Sequence, residues 1–167
     1  MRVVYITQIW PEPRSSAAGL RALNVIRALR RDGVELTVAC TATNEAARVQ
    51  LQEMGVKTQS LRMNDSSADQ WFAELNPDVV IFERFMVEEQ YGGRVARACP
   101  NAARILDSID LHFLRRARQK GLEPALGEDC YRELASIYRC DHTWVVSDHE
   151  VRYLTAELGV PAGLVSV

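Results

Sequence analysis

Arg2-Val3-Val4-Tyr5-Ile6-Thr7, followed by a small-residue stretch from Gln8 to Gly19 and then Leu20-Arg21-Ala22-Leu23-Asn24-Val25-Ile26-Arg27-Ala28-Leu29, decides the fold. The first six residues are a β-rich run. Ala18, Ala22, Val25, Ile26 and Leu29 recur at the spacing of one helix face. Gly33 supplies the left-handed residue at which a helix stops. Val34 to Cys40 then reads as a second strand. A strand, a helix and a strand in this order make a βαβ unit, and ligands of such sheets meet the carboxyl ends of the strands. The Gln8–Gly19 loop is therefore the first candidate for function.

The same alternation continues. Helices are expected over Asn44–Met54, from Ser67 to Leu75, and over Val87–Ala98 with an interruption near Gly92-Gly93. Further helices are expected over Phe113–Lys120, Glu128–Arg139 and from Ser147 to Leu158. In the Glu128 helix, Cys130, Leu134, Ile137 and Tyr138 fall on or near one face. Strands are expected over Val56–Leu61, Val79–Phe82, Ala103–Leu106, His142–Val146 and Leu164–Val167, and Gly121–Gly127 as a loop. Strands alternating with helices predict a Rossmann-like, doubly wound, mostly parallel sheet with helices on both faces. With 167 residues, 47% of them hydrophobic, the chain suits one domain with one good core. Its last residues read as a strand just begun, as expected of a chain cut at a domain boundary.

A net charge of −2 gives no basic nucleic-acid footprint. Lys57 and Lys120 are the only lysines, so nearly all positive charge is guanidinium. Codon bias explains that, or else some arginines grip phosphate or carboxylate bidentately. Cys40, Cys99, Cys130 and Cys140 make no C-x-x-C and read as small buried hydrophobes in a reduced compartment. No apolar run approaches spanning length, which suggests a cytoplasmic protein, with a peripheral contact at the inner membrane face still open.

Polar residues crowd the predicted strand ends. Ser16 and Gly19 either cap the helix or present free N–H groups to a phosphate, with Arg21 in the first turn. The loop is neither G-x-G-x-x-G nor a P-loop. Glu83 and Arg84 either pair structurally or face a ligand. Asp107 reads best as a strand-end residue accepting from backbone donors. Asp110 and His112 are the pair expected to carry a site, one accepting from hydroxyls and the other donating to a sugar or phosphate oxygen. A metal would need further ligands that the spacing does not offer. Ser147 with Glu150 reads as a capping box. Arg115, Arg116 and Arg118 form either a solvated face or a patch for anionic lipid or a polyphosphate-linked acceptor. No Ser/His/Asp triad or H-E-x-x-H is present.

Trp10-Pro11, Arg14 to Arg21, Val25 to Leu29 and Gly33 to Val38 resemble the opening of the GT-B glycosyltransferases, above all the large retaining group, family 4. Glu83-Arg84-Phe85, Leu106 to Arg115 and Trp144-Val145-Val146-Ser147 are similar to a bacterial subset of that group. The resemblance spans essentially the whole chain and implies the N-terminal, acceptor-side domain of a two-domain enzyme. Such enzymes move a sugar from a nucleotide donor to a glycan or lipid-linked acceptor, as in polysaccharide biosynthesis, and generally need no metal or cofactor. It places Ser16 and Gly19 in the loop near donor phosphate and acceptor, with Ala18 where the family usually has a second glycine. It places Asp110 and His112 as the catalytic candidates near the transferred sugar, and Arg21, Glu83 and Arg84 in acceptor or donor binding. The glutamates and basic residue that grip the donor in the C-terminal domain have no counterpart, so this chain alone should be inactive. Two other readings fit the residues: a stand-alone Rossmann-like binding or regulatory module, and the N-terminal half of a nucleotide-sugar epimerase.

Overall fold

The computed structural model describes residues 1–12, 16–122 and 127–167. The loop readings at 13–15 and 123–126 lie outside them. Strands β1 (Arg2–Thr7), β2 (Glu35–Cys40), β3 (Lys57–Ser60), β4 (Val79–Glu83), β5 (Ala103–Asp107), β6 (His142–Trp144) and β7 (Val165–Ser166) form one sheet. Its order is β3-β2-β1-β4-β5-β6-β7, and every pairing is parallel. The expected doubly wound sheet is present. The chain reverses its direction of travel across the sheet between β1 and β4, and that switch point is where such sheets open a crevice.

Helices α1 (Ala17–Arg31) and α2 (Glu45–Glu53) cover one face. Val3, Tyr5, Leu36, Val38 and Ile81 point to them, packed with Ala22, Leu23, Ile26 and Leu51. Helices α3 (Ser67–Leu75), α4 (Arg84–Ala98), α5 (His112–Gln119), α6 (Glu128–Arg139) and the short α7 (Asp148–Arg152) complete the helical set. The other face, with Val4, Ile6, Val80, Phe82 and Leu106, packs against Phe72, Val95, Phe113, Ile137 and Leu154. Strict alternation puts both face sets in one strand, which is why β1 and β4 read as near-continuous apolar runs. Each fully buried Leu, Ile or Phe here contributes roughly 1.5–3 kcal/mol.

Several boundaries depart from the sequence expectations. α4 is continuous through Gly92-Gly93 and begins at Arg84, directly after β4. Gly92 is a packing residue: a Cβ there would collide with the Glu88 side chain, whose buried carboxylate pairs with Arg139 at 2.5 Å. In α1 the buried set includes Leu23, while Val25 and Leu29 are only partly buried. In α6 the buried stripe is Cys130, Glu133, Ser136 and Ile137, and Tyr138 is exposed. α3 starts at Ser67, whose N–H donates to Asp65 Oδ1 at 2.8 Å, so Asp65 takes the capping part expected of Ser67. After α7 the chain continues as a π-helical turn, Tyr153–Glu157, instead of a regular helix to Leu158. β6 stops at Trp144 and β7 spans two residues. All four cysteines are buried and free, and burial pushes the Cys140 thiol up to about 12.

Candidate functional site

The loop leaving β1 is pinned at its start. Trp10 is buried and its indole N–H donates to the Ala42 carbonyl at 2.8 Å, tying this loop to the one after β2. Ser16 caps α1: its Oγ accepts from the Gly19 N–H at 3.0 Å. At the switch point, Glu83 ends β4 and its Oε2 accepts from the Gln8 N–H at 2.6 Å. These pieces enclose a small cavity of about 110 Å³ whose walls include Gln8, Ser16, Gly19, Glu83 and Arg84. Four of the expected binding residues thus meet at one place, although Ser16 and Glu83 lie far apart in sequence.

Glu83 is 4% exposed. Burial raises its carboxyl to about 7, against the opposing pull of the Gln8 N–H and Arg84, with Asp107 adding to the rise. Arg84 follows it with φ 70, a left-handed backbone that costs a long side chain energy unless its surroundings impose it. The imposition is visible: β4 passes into α4 with no loop between them. The Arg84 Nε is buried and has no hydrogen-bond partner among the described residues. Glu83 and Arg84 are therefore not a mutually satisfied ion pair.

Arg21 and Asp107 behave differently. Asp107 Oδ2 accepts from the Tyr5 hydroxyl at 2.8 Å. Its Oδ1 accepts from Arg21 Nε at 2.8 Å, with Nη2 equally close. Asp107 is wholly buried, and burial with this neighbouring carboxylate raises the Tyr5 phenol well above its usual range, so it stays a donor. Among the described residues Asp107 accepts from side chains of β1 and α1 and from no backbone donor, unlike the expectation. Arg21 is spent on this strut that joins α1 to β5.

Beyond β5 the chain turns sharply. The Asp110 N–H donates to the Ser108 carbonyl at 2.7 Å across Ile109, whose φ is 64. A β-branched residue in that conformation is strained. His112 then opens α5, so it sits in a first helical turn and not on irregular chain as expected. Two buried glutamates hold this segment. Glu133 of α6 accepts from the N–H groups of His112 at 2.6 Å and Phe113 at 3.0 Å. Glu150 of α7 accepts from Leu111 N–H at 3.3 Å and Val146 N–H at 3.0 Å. Ser147 does cap α7, its Oγ accepting from Glu150 N–H at 3.3 Å. Glu150 does not close the expected capping box, because its carboxylate accepts from Val146 and Leu111 N–H groups and not from that of Ser147. Burial raises the Glu133 carboxyl to about 7.

Asp110 and His112 are both held by Arg115. Arg115 Nε lies 2.9 Å from Asp110 Oδ2; that N–H is not aimed at a partner, so the attraction is ionic. Arg115 Nη2 approaches His112 Nδ1 at 2.6 Å. The same Nη2 lies 3.3 Å from Nε2; a guanidinium only donates, so the ring meets Arg115 as an acceptor, with Nδ1 the nearer nitrogen. Burial, then Arg115 and Arg116, lower the His112 pKa. The ring stands edge-on to Phe85 at 5.8 Å, which links His112 to the residue after Arg84. Beside them, α5 and the β6–α7 junction enclose a larger cleft of about 470 Å³. Among the described residues no group of three or more His, Cys, Asp or Glu side chains is placed to hold a metal ion.

The clamps were the part that sequence reasoning missed. Glu133 could have been found: it is the one acidic residue on the helical stripe that Cys130 and Ile137 mark.

Residues 16–167 match the family model described as a glycosyl transferase 4-like domain. The chain belongs to the glycosyl transferase 4-like domain family. Among solved structures, the lipopolysaccharide outer core galactosyltransferase WaaB in its apo form is 14% identical with a TM-score of 0.63, covering 100% of this chain and 45% of that one. The S. aureus MnaA–UDP co-structure is 16% identical with a TM-score of 0.67, covering 99% and 44%. A putative UDP-N-acetylglucosamine 2-epimerase from Listeria monocytogenes is 12% identical with a TM-score of 0.62, covering 98% and 44%. At these identities the likeness is one of fold, Rossmann-like and of the GT-B kind. The chain spans less than half the length of each. No curated protein matches the chain. No described helix of this family member is long and apolar enough to cross a membrane.

Proposed function

We propose that this domain forms the acceptor-side wall of a glycosyltransferase that moves a sugar from a nucleotide donor to a glycan or lipid-linked acceptor, at the cytoplasmic side of a membrane. The observation that carries the reading is the switch-point cavity. There the Ser16–Gly19 helix start, the protonatable Glu83 and Arg84, whose buried Nε has no hydrogen-bond partner among the described residues, converge, and Phe85 links them to His112. Strained backbone at both strand ends, Arg84 and Ile109, supports it, since such residues persist where function over-determines them.

In this reading Arg84 faces the donor phosphates beside Gly19, whose N–H is held by Ser16 Oγ, and Glu83 in its protonated form donates to a sugar or ribose oxygen. Asp110 accepts from an acceptor hydroxyl, and the His112 ring offers an N–H to the transferred sugar. Catalysis by these residues is positioning and electrostatic, with no metal in the scheme. A second domain facing this edge would hold the nucleotide and stabilise the leaving diphosphate, so the 167-residue chain alone would not turn over.

The epimerase alternative has the fold of the Listeria monocytogenes protein behind it. Acceptor-dependent release of nucleotide, with sugar recovered on the acceptor, separates the two in a polypeptide that carries both domains. Interconversion of nucleotide sugars without an acceptor would overturn the transferase reading.

A further inference from the structure

The cleft between α5 and the β6–α7 junction has a chemistry of its own. It is lined by Arg115 and Arg118 on one side and by Val146, Ser147 and His149 on the other. α5 carries Arg115, Arg116 and Arg118 with no acidic residue. Arg116 is taken by an ion pair with Asp129, and Arg115 by Asp110. Arg118 has no side-chain hydrogen bond or ion pair among the described residues. Two carboxylates also border the cleft. Glu150 is 6% exposed with its oxygens turned to backbone N–H groups, and Asp110 is neutralised by Arg115. Among the described residues, one guanidinium in this partly enclosed space is left without a counter-charge. A planar fork of donors in that setting suits a phosphate, and an exposed residue of this kind has no structural duty to explain it.

We propose that this cleft is a subsite for a phosphate or phosphoester group of the acceptor, gripped by Arg118 with Arg115 beside it. The proposal rests on the transferase reading and names the acceptor class: the group lies next to Asp110, so an acceptor anchored here presents its hydroxyl to the catalytic edge. Ser147 adds a hydroxyl donor, since its Oγ accepts from Glu150 while its own proton is free. The phosphate could be borne by a soluble sugar phosphate or by a lipid headgroup.

The test is titration of the isotope-labelled 167-residue chain with glycerol 3-phosphate, followed by backbone amide shifts, with glycerol as the neutral control. Saturable shifts at Arg118, Val146 and Ser147, absent with glycerol, are expected. Arg118→Gln should weaken binding about tenfold, the worth of one charge-assisted hydrogen bond, while Arg97→Gln on α4 leaves it unchanged. Co-sedimentation with phosphatidylglycerol vesicles but not phosphatidylcholine vesicles, lost in Arg118→Gln, would assign the phosphate to a lipid; binding of glycerol 3-phosphate alone would assign a soluble ester. No shift at these residues, or equal binding by Arg118→Gln, overturns the proposal. Nucleotide release to an uncharged acceptor would then still uphold the transferase reading, and phosphate binding without any nucleotide release would do the reverse.

Discussion

Two charged regions on the same edge of the sheet have opposite characters. Around β1 and β5, the buried Asp107 carboxylate is satisfied by Arg21 on one oxygen and Tyr5 on the other. Around β4 and α5, among the described residues, the buried Arg84 Nε has no hydrogen-bond partner and Arg118 has no ion pair, and two carboxyls are raised to about 7. The contrast teaches that a density of ionisable residues at strand ends does not mark a site by itself. What marks it is unspent capacity: donors without acceptors, backbone held in strain, and cavity space beside them. Arg21 and Asp107 look like site residues by position and are built as a strut.

Breaking the strut should have the largest effect. Asp107→Ala leaves the Arg21 guanidinium and the Tyr5 hydroxyl without their buried partner, and should cost about 3–5 kcal/mol of stability in denaturant unfolding. A loss below about 1 kcal/mol would erase the distinction between the regions. Gly92→Ala should cost about 1–3 kcal/mol, because the new methyl displaces Glu88 from Arg139.

Titration sharpens the other side. Glu83 and Glu133 bind their protons more tightly folded, near 7, than in the unfolded chain, near 4.5. The folded state therefore holds more protons between those values, and stability falls as pH rises from about 4.5 to about 7. Each contributes of order 3 kcal/mol to that slope. His112 works in the opposite sense: its folded pKa is lowered, so its contribution is present above the unfolded value near 6.5 and lost as pH falls below it. Glu133→Gln should flatten the decline seen in unfolding curves across this window; an unchanged slope would mean that the carboxyl is ionised in place. The smallest effect is the most diagnostic. Arg84→Gly relieves a left-handed backbone and should raise stability by up to about 1 kcal/mol while sugar transfer falls. Stability and activity declining together would make Arg84 structural.

The βαβ opening, the parallel sheet and the order of elements were legible because period-two and period-3.6 patterns record which faces are buried. The switch-point group was legible too, since strand ends of a parallel sheet converge whatever their spacing. What stayed hidden was how charges are spent. Nothing local says that Arg21 reaches Asp107 across β4, or that Glu150 bridges Val146 before its own helix to Leu111. Gly92 looked like a helix breaker because the reason for it lies in the Glu88 carboxylate folded over it.

The central claim is that the free half of this edge, with Asp110 and His112, faces the transferred sugar. Acceptor-dependent nucleotide release by the two-domain enzyme carrying His112→Ala tests it most directly. The account predicts a loss in kcat/KM of about a hundredfold or more with the fold intact by circular dichroism. Turnover equal to that of the unaltered enzyme would contradict it.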